Sequence, residues 1–156
     1  MAVDSTNINK KLDPKNNINI VSYNMHKFNQ EIIELKSLCM KTNSDVIFIQ
    51  EHWLTDDLLR NFDYFKNCYY VNCASAMDSS NSLMIDRPFG GVGVLISKSL
   101  CCTFSKVSCI AATDRYIMIA IDQLLLINVY MPNCCSTADH DELLSILTRI
   151  QSDIDD

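Results

Sequence analysis

The chain has 156 residues, 48% of them hydrophobic, which is enough for one domain with an apolar core and short for two domains. Its formal net charge of −6 argues against a protein that coats nucleic acid, because non-specific affinity for phosphates comes from an excess of Lys and Arg. The charge does not argue against a metal-dependent enzyme, in which carboxylates hold a cation that screens an anionic substrate.

The first sixteen residues are polar, include one Pro, and predict a flexible arm rather than a secretory signal. No stretch approaches the roughly 18 to 20 apolar residues that a membrane span requires. We therefore expect an intracellular protein without a membrane segment, in which the eight cysteines are free thiols. A nuclear location is an expectation from function alone.

The first half of the chain predicts alternating strands and helices. A β-branched run at Ile18–Tyr23 predicts a strand, and apolar residues at helical spacing predict a helix over Gln30–Lys41 capped by Asn29. The continuous apolar run Val46–Ile49 predicts a strand buried on both faces. A short helical turn over Asp56–Asn61 follows.

The second half of the chain predicts mainly strands. The predicted strands are Tyr69–Ala74, Gly91–Ile96, a weaker one at Thr103–Ile110, and a hairpin of Tyr116–Ile121 with Leu124–Tyr130. A final helix over His140–Ile150 is predicted to be capped by Asp139 with Glu142. Its apolar face is predicted to carry Leu143, Leu147 and Ile150. This order of elements indicates an α/β fold.

Polar residues follow several of these apolar strands. Asn24 follows the first strand, Glu51 the second, and Tyr130 the last, while Gly90 and Gly91 precede the fourth. Sites in α/β folds lie at such strand ends, and a carboxylate there suits a hard cation such as Mg²⁺. By spacing alone, a solvated Glu51 at a strand end is an equally good interpretation.

An ordered series of short motifs resembles the endonuclease/exonuclease/phosphatase superfamily. The series is Ser22-Tyr23-Asn24, Ile49-Gln50-Glu51, Gly91-Val92-Gly93 and Asn128-Val129-Tyr130-Met131-Pro132-Asn133. The endonuclease domain of non-LTR retrotransposons is similar in further runs, namely Leu38-Cys39, Gln50-Glu51-His52-Trp53-Leu54, Arg87-Pro88-Phe89-Gly90-Gly91 and Ile127-Asn128-Val129-Tyr130-Met131-Pro132. The resemblance runs from about residue 17 to residue 150 and depends on the order of the motifs, since no single motif is specific.

The resemblance implies roles for six residues. Glu51 matches a metal-binding glutamate, and Asn24 matches the asparagine that helps organise the metal site. Tyr130 matches a tyrosine near the scissile phosphate, with Asn133 on the substrate side. Arg115 matches a basic residue near the DNA backbone, and Phe89 an aromatic residue beside the substrate groove. The implied cofactor is Mg²⁺, with Mn²⁺ as an alternative, and the implied substrate is DNA.

The resemblance also implies a hydrolytic mechanism, in which water attacks phosphorus while a divalent cation stabilises charge on the oxygens. The superfamily uses a later Gly-Asp-x-Asn segment and a Ser-Asp-His segment, and residues 134–156 match neither. We therefore expect residues 17–156 to be an incomplete domain with weak or no turnover. The implied parent fold is a four-layer α/β sandwich, of which this chain is expected to supply the first sheet, its helices and one strand of the second sheet.

Plainer interpretations remain open. The protein could be a non-catalytic interaction module that self-associates through an uncovered sheet face, or a phosphoesterase for a small phosphoester. The glycines at 90 and 91 are interpreted as a strand-entry turn, and His26 and His52 as solvated or locally hydrogen-bonded rather than as ligands.

Overall fold

The computed structural model describes residues 17–77, 89–131 and 136–155. These residues form two β-sheets packed face to face, with helices on the outer face of each sheet. The predicted arm, residues 1–16, lies outside the described residues, and so does the predicted substrate-binding residue Asn133.

The first sheet has four strands in the order β1-β2-β4-β3. They are β1 Ile20–Asn24, β2 Val46–Gln50, β3 Tyr69–Ala74 and β4 Val92–Ser97. The strands β1 and β2 are parallel, and β4 is antiparallel to both of its neighbours. Because Asn24 pairs with Gln50 and Gln50 with Val92, the C-terminal ends of β1 and β2 and the start of β4 lie side by side at one end of the sheet.

Two helical segments cover the outer face of the first sheet. They are α1 Phe28–Lys41 and a 3₁₀ helix, Asp56–Phe65, which is longer than the predicted turn. The prediction that Asn29 caps α1 was wrong, because the helix already includes Phe28 and Lys27 is its N-cap. Buried Phe28 packs edge-on against Phe62 at 4.8 Å between ring centroids, which explains why the helix begins earlier.

The second sheet is an antiparallel meander of β5 Val107–Ala112, β6 Tyr116–Ile121 and β7 Leu124–Val129. The chain therefore supplies three strands of this sheet and not the one that was expected. The predicted strand Thr103–Ile110 was partly wrong, since a short helix, α2 Lys98–Thr103, comes first. Its Leu100 is buried between the sheets, and six residues are too few for helical periodicity to be visible in the sequence.

The outer face of the second sheet is covered by α3 Thr137–Asp155. The predicted apolar face was partly wrong, because Ile150 is buried as expected but Leu147 is 46% exposed and Ile146 is buried instead. The predicted cap was also wrong. Ser136 Oγ accepts a hydrogen bond from the Asp139 amide, and the Asp139 carboxylate accepts one from the Ser136 amide, which places the capping box one turn earlier.

The layers confirm the predicted α/β class and the four-layer sandwich. The core between the sheets is aliphatic, with β2 and β4 packed on β6, and a second core lies under α1. Among the residues that the structure describes, no helix is both long enough and apolar enough to cross a bilayer.

Candidate active site

Glu51 directly follows β2, at the end of the sheet where β1 and β2 terminate beside the start of β4. Its backbone has φ +55°, a left-handed conformation that non-glycine residues rarely adopt outside functional or tightly held sites. Asn24, at the end of β1, donates a hydrogen bond from Nδ2 to Glu51 Oε1 at 3.0 Å. The structure therefore brings together the two residues that were predicted to organise a metal.

His26 was not predicted to be part of this site. Its Nδ1 lies 3.1 Å from Glu51 Oε2, and its backbone amide donates to Asn24 Oδ1 at 3.2 Å. The side chain is 69% exposed. The only sign of this role in the sequence was the position of His26 two residues after Asn24. A solvated histidine in a loop could occupy the same position, so the sequence did not distinguish the two.

Tyr130 comes to Glu51 from the other sheet, directly after β7. Burial raises the pKa of the Tyr130 hydroxyl, and its hydrogen bond to Glu51 and the charge of that carboxylate raise it further, against the opposing charge of Arg115. The hydroxyl therefore stays protonated at neutral pH and is available to donate a hydrogen bond. The predicted trio of Asn24, Glu51 and Tyr130 is assembled from both sheets.

These contacts favour the charged form of Glu51. Burial by itself raises the pKa of the carboxyl, but hydrogen bonds from Asn24 and Tyr130, the charge of His26 and a hydrogen bond from Trp53 together hold the pKa below its usual range. Glu51 is therefore ionised at neutral pH, with its side chain only 14% exposed.

The loop after Glu51 is anchored by a buried imidazole. His52 is 0% exposed, with Nε2 3.1 Å from the Ala74 carbonyl, while Nδ1 accepts a hydrogen bond from the Leu54 amide. Burial lowers the pKa of His52 to about 4, against smaller opposing contributions from backbone hydrogen bonds. Of the two expectations for His52, the local hydrogen bond is confirmed, whereas a solvated ring is excluded because the ring is buried in the core.

Gly91 packs directly on that ring. A Cβ added at Gly91 would lie 2.4 Å from His52 Cε1, and the residue has φ +83°. The neighbouring carbonyl of Gly90 accepts a hydrogen bond from the Trp53 amide at 3.0 Å. The two glycines do form the predicted entry to β4, and they also allow the loop that follows Glu51 to pack closely against the first sheet.

The predicted substrate-binding residues are placed differently from one another. Arg115 lies beside the site, with its guanidinium carbon 5.7 Å from the centre of the Tyr130 ring, but its side chain is only 16% exposed and Nη2 pairs with Glu142 Oε1 at 2.5 Å. Phe89 is 51% exposed, immediately before Gly90. Among the described residues, Arg115 pairs with Asp114 and Glu142 and not with Glu51.

The donor set suits a weakly held hard cation. One ionised carboxylate, Glu51, and the amide oxygen of Asn24 are oxygen donors, which Mg²⁺ prefers and often supplements with waters and substrate phosphates. Within residues 17–77, 89–131 and 136–155, no group of three His, Cys, Asp or Glu side chains could enclose a metal. The described residues do not form a closed metal site, and a cation held by Glu51 would need further ligands from water or from a phosphate.

Solved structures of two endonucleases and a phosphatase have a similar fold. An AP endonuclease from Archaeoglobus fulgidus superposes with a TM-score of 0.59 at 17% identity, over 85% of this chain and 49% of that one. The 3′ phosphatase NExo from Neisseria, solved with a product DNA hairpin, gives 0.60 at 15% identity over 87% and 53%. The AP endonuclease LMAP from Leishmania major gives 0.58 at 13% identity over 91% and 48%.

The chain has the fold of these AP endonucleases and of NExo, which is the fold that the resemblance of its motifs implied. It spans about half the length of these solved structures. No protein-family profile and no curated protein sequence matches it.

Proposed function

We propose that this chain carries part of the active site of a Mg²⁺-dependent phosphodiesterase that cleaves DNA. The observation that carries the proposal is the Glu51 carboxylate, which accepts a hydrogen bond from Asn24 in the first sheet, while Asn24, Tyr130 of the second sheet and His26 together hold its pKa below the usual range. A cation bound there would offset charge on a phosphate, and the protonated Tyr130 hydroxyl would lie beside it as a hydrogen-bond donor. Mn²⁺ is a second candidate cation.

The retroelement type of endonuclease is the narrower part of this proposal. It is supported by the resemblance of the runs around Glu51 and Tyr130 to endonuclease domains of non-LTR retrotransposons. DNA as substrate is also supported by the similar solved structures, which are named as AP endonucleases and as a phosphatase bound to a DNA hairpin.

The proposal includes weak turnover by this chain alone. The described residues bring a single carboxylate to the site, and the sequence after Asn133 has neither of the later catalytic segments that the resemblance implies. Water activation and leaving-group protonation would then lack dedicated residues. General acid–base groups typically contribute about 10²- to 10⁴-fold to rate, so their loss leaves binding with little chemistry.

Cation binding and plasmid nicking test this proposal together. We expect the chain to bind Mn²⁺, as measured by isothermal titration calorimetry. Glu51→Ala should weaken that binding by more than about tenfold, because the anionic ligand is lost. The matched control is Glu34→Ala, which removes an exposed carboxylate from α1. Equal binding by the Glu51 and Glu34 variants would contradict the metal site.

Nicking of supercoiled plasmid in Mg²⁺ is expected to be slow or undetectable. Rapid nicking that Glu51→Ala abolishes would uphold the site but overturn the expectation of weak turnover. A soluble aryl phosphodiester assayed in parallel separates the remaining enzymatic alternative, because faster turnover of that compound than of DNA would favour a small phosphoester as substrate.

A second candidate function is a non-catalytic interaction module, which the edge strand β7 favours. Its sequence, LLLINV, has no charge and is apolar apart from Asn128, as is usual for a central strand, and within the part of the chain that the structure describes it pairs with β6 alone. Leu125, on the face of β7 that does not meet the first sheet, is 40% exposed. Unprotected edges of this kind favour pairing with another chain.

The other edge strand of the same sheet provides the control. The strand β5 has a register irregularity between Cys109 and Ala111, and such bulges discourage edge pairing. If the chain self-associates through β7, Leu125→Lys should shift it towards monomer in sedimentation, while Ile110→Lys on β5 should not. A wild-type chain that is a monomer at high concentration would contradict self-association.

A further inference from the structure

Asn128 is a buried polar residue at the junction of the two sheets. It lies in β7, is 2% exposed, and has no role in the site as proposed above. We propose that Asn128 is a positioning residue that locks the second sheet against the first and thereby holds Tyr130 against Glu51. This inference deepens the proposed function and rests on it for its catalytic meaning.

The side-chain amide of Asn128 makes three hydrogen bonds across the sheet interface. Its Nδ2 donates to the carbonyls of Ile49 and Gly93, each at 2.9 Å, and its Oδ1 accepts from Gln50 Nε2 at 2.5 Å. Ile49 and Gly93 face each other in the β2–β4 register. One side chain of the second sheet is therefore bonded to two neighbouring strands of the first.

The contacts of Asn128 lie next to the residues that meet in the site. Tyr130 follows Asn128 by two residues. Because side chains alternate along an extended chain, both lie on the same side of it. On the other sheet, Ile49 and Gln50 immediately precede Glu51. A shift of β7 relative to β2 would therefore break the Asn128 bonds and separate Tyr130 from Glu51 together.

The rest of this interface cannot supply the same constraint. Its other buried members are aliphatic, such as Val94 against Ile119, and contacts of this kind are non-directional. Hydrogen bonds depend on both distance and angle, and a fully satisfied buried polar group specifies one arrangement of its surroundings. Gln50 extends the network to β1 through Ser22 Oγ, 3.2 Å from its Nε2.

The test combines Asn128 and Tyr130 variants with Mn²⁺ affinity. Asn128→Leu keeps a similar volume but removes all three hydrogen bonds, and Tyr130→Phe removes one hydroxyl. Loss of a group that orients a ligand typically weakens metal binding by about 10- to 100-fold. We expect each single variant to weaken Mn²⁺ binding by about tenfold and the double variant to be no weaker than either single one.

Two further variants separate positioning from general stability. Ile119→Ala opens the same aliphatic interface and should lower the urea midpoint while leaving Mn²⁺ affinity within about twofold of wild type. If Asn128→Leu does not fold, Gln50→Met takes its place, because it breaks the polar link from the side of the first sheet. Gln50→Met should then weaken Mn²⁺ binding as expected for Asn128→Leu. Multiplicative effects of Asn128→Leu and Tyr130→Phe, or an equal affinity loss in Ile119→Ala, would overturn the proposal.

A measurement without metal distinguishes failure of this inference from failure of the proposed function. If the wild-type chain binds no Mn²⁺, the metal site is wrong, but the contact between Glu51 and Tyr130 can still be measured. Glu51→Gln and Tyr130→Phe should shift the urea midpoint non-additively in the wild-type background and additively in Asn128→Leu. Additive shifts in the wild-type background, or unchanged coupling in Asn128→Leu, would overturn the positioning role.

Discussion

The two sides of the candidate site are held in different ways. On the first-sheet side, the amides of Met25, Lys27 and Phe28 donate to the carbonyls of Gln50, Glu51 and His52, and buried His52 sits against Gly91. On the second-sheet side, the Tyr130 amide donates to the Arg115 carbonyl, and its other contacts are with side chains, among them Arg115, which is held in turn by Glu142 of α3. Several main-chain bonds and a packed ring leave the Glu51 side little freedom, whereas the Tyr130 side has one such bond and otherwise depends on side chains, Asn128 among them.

This difference predicts that perturbations at the Glu51 side cost more stability than perturbations at the Tyr130 side. Proteins tolerate changes at partly exposed side chains far better than changes in packed or strained backbone. The following three variants or conditions test that ranking, and a reversed order would show that the second sheet, rather than the first, is the more rigid scaffold.

The largest effect is expected for Gly91→Ala. An added Cβ would lie 2.4 Å from the His52 ring on a backbone with φ +83°, so both overpacking and backbone strain oppose folding. We expect the free energy of unfolding to fall by about 3 kcal/mol or more, measured by urea denaturation. In a His52→Ala background the cost should shrink to the backbone strain of about 1 to 2 kcal/mol, and an undiminished cost would contradict direct packing on the ring.

A similar loss in the free energy of unfolding is expected on mild acidification. The pKa of His52 is lowered from its ordinary 6.5 to about 4, so the unfolded chain binds a proton at a higher pH than the folded chain does. The stability that neutral His52 contributes is full above pH 6.5 and is lost as the pH falls from 6.5 towards 4. A shift of this size corresponds to about 3 kcal/mol.

The pH effect is measured as the urea midpoint between neutral pH and pH 4.5. His52→Asn should be less stable at neutral pH but should lose less on acidification than the wild-type chain. His140→Asn, at an exposed position of α3, is the matched control and should keep the wild-type slope. An equally steep slope in His52→Asn would show that another group causes the acid sensitivity.

The smallest effect is expected for Glu142→Gln on the second-sheet side. The pair of Arg115 and Glu142 is partly exposed, at 16% and 39%, so solvent screens its attraction. We expect the free energy of unfolding to fall by less than about 1 kcal/mol, with the difference shrinking at high salt. Asp141→Asn, a neighbouring exposed carboxylate, controls for the change in net charge. A loss as large as that of Gly91→Ala would remove the contrast between the two sides.

Regular strands were predicted well from the sequence. The bounds of β3 and β6 were predicted as observed, and β2 and β7 within one residue, because their β-branched and apolar runs end at clear turn residues. Helix ends were predicted less well. Asn29 and Asp139 both have capping chemistry, but the buried Phe28 and the Ser136 hydroxyl decided where the helices begin.

The site was predicted in part for the same reason. Asn24, Glu51 and Tyr130 each end a recognisable strand within a recognisable motif, so their meeting followed from the fold. The contact of His26 with Glu51 and the pairing of Arg115 with Glu142 depend on side chains whose positions no local pattern encodes. Asn128 was visible only as one letter of a motif, and its bonds to the other sheet are contacts between residues about 80 positions apart in β7 and β2.

The sequence by itself determined the α/β class, the strand runs and the chemistry available at their ends, because propensity and hydrophobic periodicity act over a few neighbouring residues. Only the tertiary structure decided that the second sheet has three strands, that His52 is buried and neutral, and that Asn128 joins the sheets. Burial, pKa and hydrogen-bond partners depend on which distant segments pack together, and that packing is a property of the whole fold.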